Sequence, residues 1–484
     1  MCTGIFIGKE VSAEGTRILA RSEDQVSTIH PKRFLVKEAS SQPGRSIKDT
    51  GEGWEGFSIP IPDQTYKYTL VPDFSVLKEG DYSSVCINEY GLMISATMSL
   101  VNVPEEYLKL DPLTEEGSGI REANVCEPVI CQAKNCREAI QVLAGLLDTY
   151  GAAESNAVLL SDKEEAWIFE IYGGHSWAAM RLPDDKAAVI GTLIMLEWVN
   201  FDDPGDDWYV SPDLKGLLDQ MPAPVIREDG CYNITETIVP GKRENLYTMR
   251  IWRLQQRLCP SSVGPFDEDF HYPLLLEPEE KVSVLDVMKF FGDRFEGTDY
   301  DMELLDWDDR KTRFPAGDTN QSSAHIIQTF SDLPDRCCQL QWLAMANADY
   351  SVFVPAFSGI TDTFEKYKTD PDVDRLVDDS YYYLEKKIWG LAVSDRKRLG
   401  EGVSRFQRGQ EKALLDQMLK AKARIRDMYQ ISDAEGDQYV TELARQTAAD
   451  QYACQTRLYR RMFYHQISNC DEYLEERKPF SMED

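Results

Sequence analysis

Positive charge is scarce in this chain. Its 484 residues hold 52 Lys and Arg against 83 Asp and Glu, a formal net charge of -31. Nucleic-acid binding needs a basic face to displace counterions, and docking on anionic lipid needs the same sign. The balance excludes both partners, and the acidity serves solubility. Long apolar runs are also missing: no stretch approaches the roughly 20 residues of a membrane span. The start, Met1-Cys2-Thr3-Gly4-Ile5-Phe6-Ile7-Gly8-Lys9, lacks the basic lead and apolar run of about 7–15 residues that an export signal needs. A cytoplasmic protein is expected. The 11 cysteines follow no repeating frame, which argues against a disulfide scaffold. Cys126, Cys131 and Cys136 stand five apart, without the second pair or histidines that complete a zinc set. The chain contains no glycine-rich phosphate loop, no His-Glu-x-x-His and no Gly-x-Ser-x-Gly elbow. No metal and no cofactor are expected.

What is present is a layered pattern. Residues 3–8 and 17–21 read as a hairpin turning at Ala13-Glu14-Gly15, and residues 84–87 and 92–98 as a second hairpin around Asn88-Glu89-Tyr90-Gly91. The Pro- and Gly-containing stretch between them suits a surface insertion. A helix is predicted over residues 136–150, with Ile140, Leu143, Leu146 and Leu147 on one face and Gly151 as its stop. A meander of strands over 157–161, 166–171 and 177–181 follows, expected to have one polar and one buried side. A short amphipathic helix is predicted over 247–258. Beyond residue 400, Val403, Phe406, Leu414, Met418, Ile425 and Met428 recur at helical spacing. The expectation is an α+β layered core over residues 2–400 with surface insertions, and a helical region over 401–484 packed on the core or at a subunit interface. That tail makes a homo-oligomer the expected state.

The chemistry gathers at Cys2. Trimming of Met1 is expected because the next residue is small, and it leaves one residue with both a thiol and a free α-amine. An α-amine titrates near about 7.7–8.0, so it can act as a base around neutrality. A thiol becomes a good nucleophile when a positive charge lowers its pKa, and here the amine can assist the thiol of its own residue. The return strand of the first hairpin brings Arg21 back beside Cys2, with Asp24 just beyond. A cation there favours the thiolate, and a carboxylate can hold the α-ammonium.

Cys-Thr-Gly-Ile at 2–5 followed by Ala-Arg-Ser-Glu-Asp at 20–24 resembles the N-terminal-nucleophile cysteine hydrolases of the choloylglycine hydrolase and penicillin V acylase clan. Within that clan the chain resembles the dipeptidase A family. The matching stretches are Asn88-Glu-Tyr-Gly-Leu92 into Ser95-Ala-Thr97, Asp111-Pro-Leu113, Glu170-Ile-Tyr-Gly-Gly-His-Ser-Trp177, Arg250-Ile-Trp-Arg253, Ser323-Ala-His325 and Phe353-Val-Pro355. The resemblance implies a four-layer αββα fold and metal-independent hydrolysis of dipeptides through a Cys2 thioester. Carried over, Cys2 is the nucleophile, Arg21 supports the thiolate, Asp24 orients the α-amine and Arg250 is the second active-site arginine. Asn88 matches a position whose backbone N–H points into the oxyanion hole. Thr192 stands where the clan places an Asn whose side-chain amide serves that hole, a shortened donor where each donor contributes about 3 kcal/mol. His175 and His325 are expected to be structural or substrate-lining, and Trp177 and Trp252 to be core aromatics. The rival readings are an amidase of the same clan acting on N-acyl amides of bile-salt or penicillin V type, and a weakly active or non-catalytic relative because of Thr192.

Overall fold

Apolar residues on both sides of nearly every strand require each sheet to be covered twice, and the fold satisfies that demand with four layers. The computed structural model describes residues 2–25, 27–73, 83–115, 117–241, 245–370, 377–470 and 478–482. Met1, whose removal is expected, lies outside them. One antiparallel sheet has seven strands, with Thr3–Ile7 between Ala187–Ile190 and Arg17–Asp24, followed by Gln321–Thr329, Gln339–Ala344 and Val354–Phe357. The other has eight, centred on Asn156–Ser161, Met93–Ser99 and Ser83–Asn88. Alternate residues of the eight-stranded sheet divide between two apolar clusters. Ala157, Leu159 and Ile168 face the other sheet, while Val158, Leu160, Trp167 and Phe169 face the helices Glu122–Ile130 and Cys136–Tyr150. A bulge between Ala96 and Met98 shifts this alternation, so that Ile94 and Ala96 face the helices and Met98 faces the seven-stranded sheet. Helices Asn245–Leu258, Val284–Phe290, Glu401–Ile431 and Asp433–Ser468 cover the outer face of the seven-stranded sheet. The α+β, αββα expectation holds.

Local signals account for much of this. The helix Cys136–Tyr150 has the predicted limits: Asn135 accepts the Glu138 N–H at its start, and Gly151 ends it at φ 68°. Two expectations need correction. The meander strands 156–161, 166–171 and 177–181 have no polar side, because helices and a second sheet cover both faces. The stretch between the first two hairpins is not only surface loop, since Leu35–Lys37 and Tyr68–Pro72 extend the eight-stranded sheet and Tyr68–Pro72 is fully buried. In the C-terminal region Ser432 breaks the helical run, accepting the Glu435 N–H to start a second helix. Leu414, Met418, Ile425 and Val440 then join the cluster that holds the sheets together.

Candidate active site

Cys2 precedes Thr3–Ile7, an interior strand of the seven-stranded sheet. Gly4 pairs with Arg21 and Thr3 with Ser22, so side chains at 2, 4, 21 and 23 share one face and those at 3, 22 and 24 share the other. The first face looks toward the eight-stranded sheet. There Gly4 allows the sheets to close tightly, because a Cβ would lie 3.0 Å from the Met98 sulfur and 3.1 Å from Ile190 Cβ. Arg21, fully buried on this face, places Nη2 3.2 Å from Cys2 Sγ. The same nitrogen lies 3.0 Å from Glu122 Oε1, at the start of the helix Glu122–Ile130. Behind Arg21 runs a buried chain of charge: Glu23 lies 3.5 Å from Arg21 Nη1 and 2.7 Å from Lys32 Nζ. Lys32 also pairs with Asp73, and Asp73 with His30. Burial works against the Glu23 charge, yet Lys32 and Arg21 hold its carboxyl below the usual carboxylate range. Among the described residues, Glu23, His30 and Asp73 form the one group of ligand atoms close enough to share a metal ion, but the Lys32 ammonium already contacts both carboxylates.

The second face looks toward the helix Asn245–Leu258. Arg250 reaches down from it, donating from Nη1 to Asp24 Oδ2 at 2.7 Å and to Thr3 Oγ1 at 2.8 Å. Its Nε donates to the Phe314 carbonyl at 3.1 Å. Cys2 therefore sits between two arginine systems: Arg21 meets the thiol from the inter-sheet side, and Arg250 holds Asp24 on the helix side. Burial pushes the Cys2 thiol up from its ordinary value, and Arg21 opposes that rise without cancelling it. A thiol that stays protonated near neutrality needs a base at the moment of attack. Burial also raises Asp24, to about 6, against the pull of Arg250.

Thr192 lies just past the strand Ala187–Ile190. Gly4 pairs with Ile190, so the same register carried two residues further sets Thr192 opposite Cys2. The turn after this strand has no ladder partner, and side chains satisfy its backbone instead. Asn102 accepts the Ile194 N–H at 2.9 Å, and the buried Glu170 accepts those of Met195 and Leu196 at 2.8 and 3.3 Å. The Thr192 carbonyl takes the Val101 N–H at 3.3 Å. The Asn102 amide nitrogen is buried with no partner among the described residues.

Asn88 is not part of this assembly. Its N–H donates to the Leu92 carbonyl at 2.9 Å, and its side-chain oxygen accepts from Tyr90 and Leu92. Its amide nitrogen donates to Ile130 and Ala133 carbonyls. The residue stabilises a hairpin turn at the end of Ser83–Asn88 and cannot present a free N–H to an oxyanion. Two further motif stretches also explain each other structurally. The Asp111 carboxylate accepts the N–H groups of His175 and Ser176, and side chains at Gly173 and Gly174 would collide with the 111–112 backbone. His175 binds the Leu147 carbonyl. His325 pairs with Arg21 across the sheet and bonds Ser95 Oγ at 2.8 Å. Burial, aided by Arg21, lowers its pKa to about 3 and keeps it neutral. Trp177 stacks on Phe169, and Trp252 packs against Phe266 and Tyr300. Cys131 and Cys136 each donate to a backbone carbonyl. The residues not anticipated from sequence are Glu122, Lys32 and Asp73, all brought in by pairing across the fold.

The chain as a whole is similar to known proteins. The chain is 32% identical over 373 residues to "Probable dipeptidase B" of Lactococcus lactis subsp. lactis (strain IL1403), covering 76% of each. It is 29% identical over 452 residues to the protein of that name from Streptococcus pyogenes serotype M1, covering 90% of this chain and 87% of the other. Among solved structures, a variant of the conjugated bile acid hydrolase from Clostridium perfringens aligns over 74% of this chain and 92% of its own at 10% identity, with a TM-score of 0.32. The model of peptidase family C69 matches residues 1–409, spanning Cys2, Arg21, Asp24, Thr192 and Arg250 alike. The chain belongs to peptidase family C69.

Proposed function

We propose that this protein is a cysteine dipeptidase that works from its own amino terminus. The observation that carries the reading is Cys2 at the head of the interior strand Thr3–Ile7 with the Arg21 guanidinium on its sulfur. The relatives named as dipeptidases point to the same substrate class. After loss of Met1, the α-amine of Cys2 takes the thiol proton as the sulfur attacks the peptide carbonyl. Arg21 stabilises the developing thiolate. The oxyanion formed in that step meets the Thr192 hydroxyl. Collapse of the tetrahedral species breaks the C–N bond, the α-ammonium protonates the leaving amine, and a thioester remains. The amine then draws a proton from water, hydroxide attack breaks the C–S bond and releases the acid, and the α-ammonium returns its proton to the Cys2 thiolate. Asp24 holds the α-amine, and Arg250 is a positioning residue that holds Asp24. The thiol and the amine supply nucleophile and base together, so no step requires a metal.

In this reading residues 2–400 form the hydrolase core and 401–484 a helical addition, acting on small peptides in the cytoplasm. No helix among the described residues is long and apolar enough to cross a membrane. Phe463, Tyr464 and Ile467 are exposed near the end of the last helix, which supports a subunit contact there. The test is a panel of free dipeptides assayed with a chelator present. Turnover that persists in chelator and disappears in Cys2→Ala supports the reading. Turnover by Cys2→Ala, or loss in chelator that added metal restores, contradicts it.

A further inference from the structure

Glu122 opposes the chemistry it adjoins. Its carboxylate competes with the thiol for one guanidinium nitrogen, since Arg21 Nη2 is 3.0 Å from Glu122 Oε1 and 3.2 Å from Cys2 Sγ. Both atoms touch that nitrogen, so the oxygen lies within about 6 Å of the sulfur. A negative charge at this distance disfavours the thiolate, and Glu122 does raise the thiol's pKa. It is also the open edge of the site: its side chain keeps 24% of its surface while Arg21 keeps none. The carboxylate is anchored at its own backbone, where the Glu122 N–H donates to Glu154 Oε2 at 3.1 Å. Asn156 Nδ2 donates to the same oxygen at 3.0 Å.

We infer that Glu122 receives the free α-ammonium of the substrate and so selects peptides with an unblocked amino terminus. The inference rests on the dipeptidase reading and adds its specificity. In an α-amino acyl group the nitrogen lies about 2.5 Å from the carbonyl carbon. A carbonyl poised for attack sits roughly 3–3.5 Å from the nucleophile. The substrate ammonium must therefore fall within about 6 Å of Cys2 Sγ, the same distance range from the sulfur as the Glu122 carboxylate. Once the ammonium is bound, it neutralises Glu122 and releases Arg21 to the sulfur. The charge that restrains the thiol in the empty site is then answered by the substrate itself. A peptide with an acylated amino terminus brings no such cation, so Glu122 stays on Arg21 and continues to compete with the sulfur for it.

The experiment compares a free dipeptide with its N-acetyl form on the mature protein and on Glu122→Gln, which keeps the shape and an acceptor for Arg21. The variant is expected to lose roughly ten- to a hundredfold in kcat/KM on the free dipeptide, mostly through KM, with little change on the acetylated form. Iodoacetamide alkylation of Cys2 at pH 7 is expected to be at least as fast as in the parent, showing Arg21 in place. An equal loss on both substrates together with slower alkylation would assign Glu122 to positioning Arg21 and overturn the inference, leaving the dipeptidase reading intact. An unchanged preference for the free amino terminus would overturn it as well. A parent protein that hydrolyses no free dipeptide would remove the dipeptidase reading and this inference together.

Discussion

Arg21 holds a guanidinium nitrogen 3.2 Å from the sulfur of Cys2, across two paired strands and on the face shared by residues 2, 4 and 21. The contact follows from the register of one hairpin, and it is the cation that offsets part of the burial of the thiol. Arg21→Ala is therefore expected to move the pH midpoint of Cys2 alkylation upward. Arg21→Lys, which keeps the charge but not the planar fork, should fall between. An alkylation profile in Arg21→Ala that overlays the parent would remove Arg21 from thiol activation.

In the proposed mechanism Asp24 sets the acid side of the pH profile. Its pKa is raised to about 6, first by burial and against Arg250, so the carboxylate that holds the amine is present above that pH and lost as pH falls through it. kcat/KM on a free dipeptide is expected to decline below about pH 6. Asp24→Asn should lower kcat and abolish that limb of the profile. A parent rate that stays flat down to pH 5 would contradict the role.

In the proposed mechanism Thr192, which the register carried on from Gly4 and Ile190 sets opposite Cys2, is the side-chain oxyanion donor. Thr192→Asn lengthens that donor and is expected to raise kcat by about tenfold, close to 1.4 kcal/mol of barrier, with less effect on KM. An unchanged or lower kcat would point to another donor. The Asn102 amide, which accepts the Ile194 N–H with its oxygen and has no partner for its nitrogen among the described residues, would be the first to substitute.

Gly4 fixes the spacing of the sheets beside the nucleophile. In Gly4→Ala the new methyl meets the Met98 sulfur at 3.0 Å and Ile190 at 3.1 Å. Overpacking of this kind costs about 1–3 kcal/mol. The variant should unfold at lower denaturant concentration with an unchanged slope, and a midpoint equal to the parent's would contradict the close approach.

Reading these residues from the chain alone succeeded where the geometry is local. Cys2 and Arg21 are one hairpin apart, so strand periodicity and a turn signal are enough to bring that pair together. The helix at 136–150 is legible for the same reason, with its apolar face and Gly151 as its stop. Asn88 was misread because a turn motif looks the same whether its amide serves a ligand or its own hairpin. Only the bonds to Leu92, Ile130 and Ala133 distinguish the two. Glu122 and Asp73 reach the Arg21 network from other elements of the fold, and no spacing rule links them to Cys2. The meander was assigned a polar side because alternation tells how many faces a strand has but not how many layers will cover them.

In the proposed mechanism one residue, Cys2 with its amine freed, is both nucleophile and base. Rapid quenching of the mature protein during dipeptide turnover, followed by mass spectrometry of the amino-terminal peptide, tests it most directly. The expected result is a chain that begins at Cys2 and an acyl adduct on that residue, absent from Cys2→Ala. Full turnover by a chain that still carries Met1, or an adduct on any other residue, would contradict it.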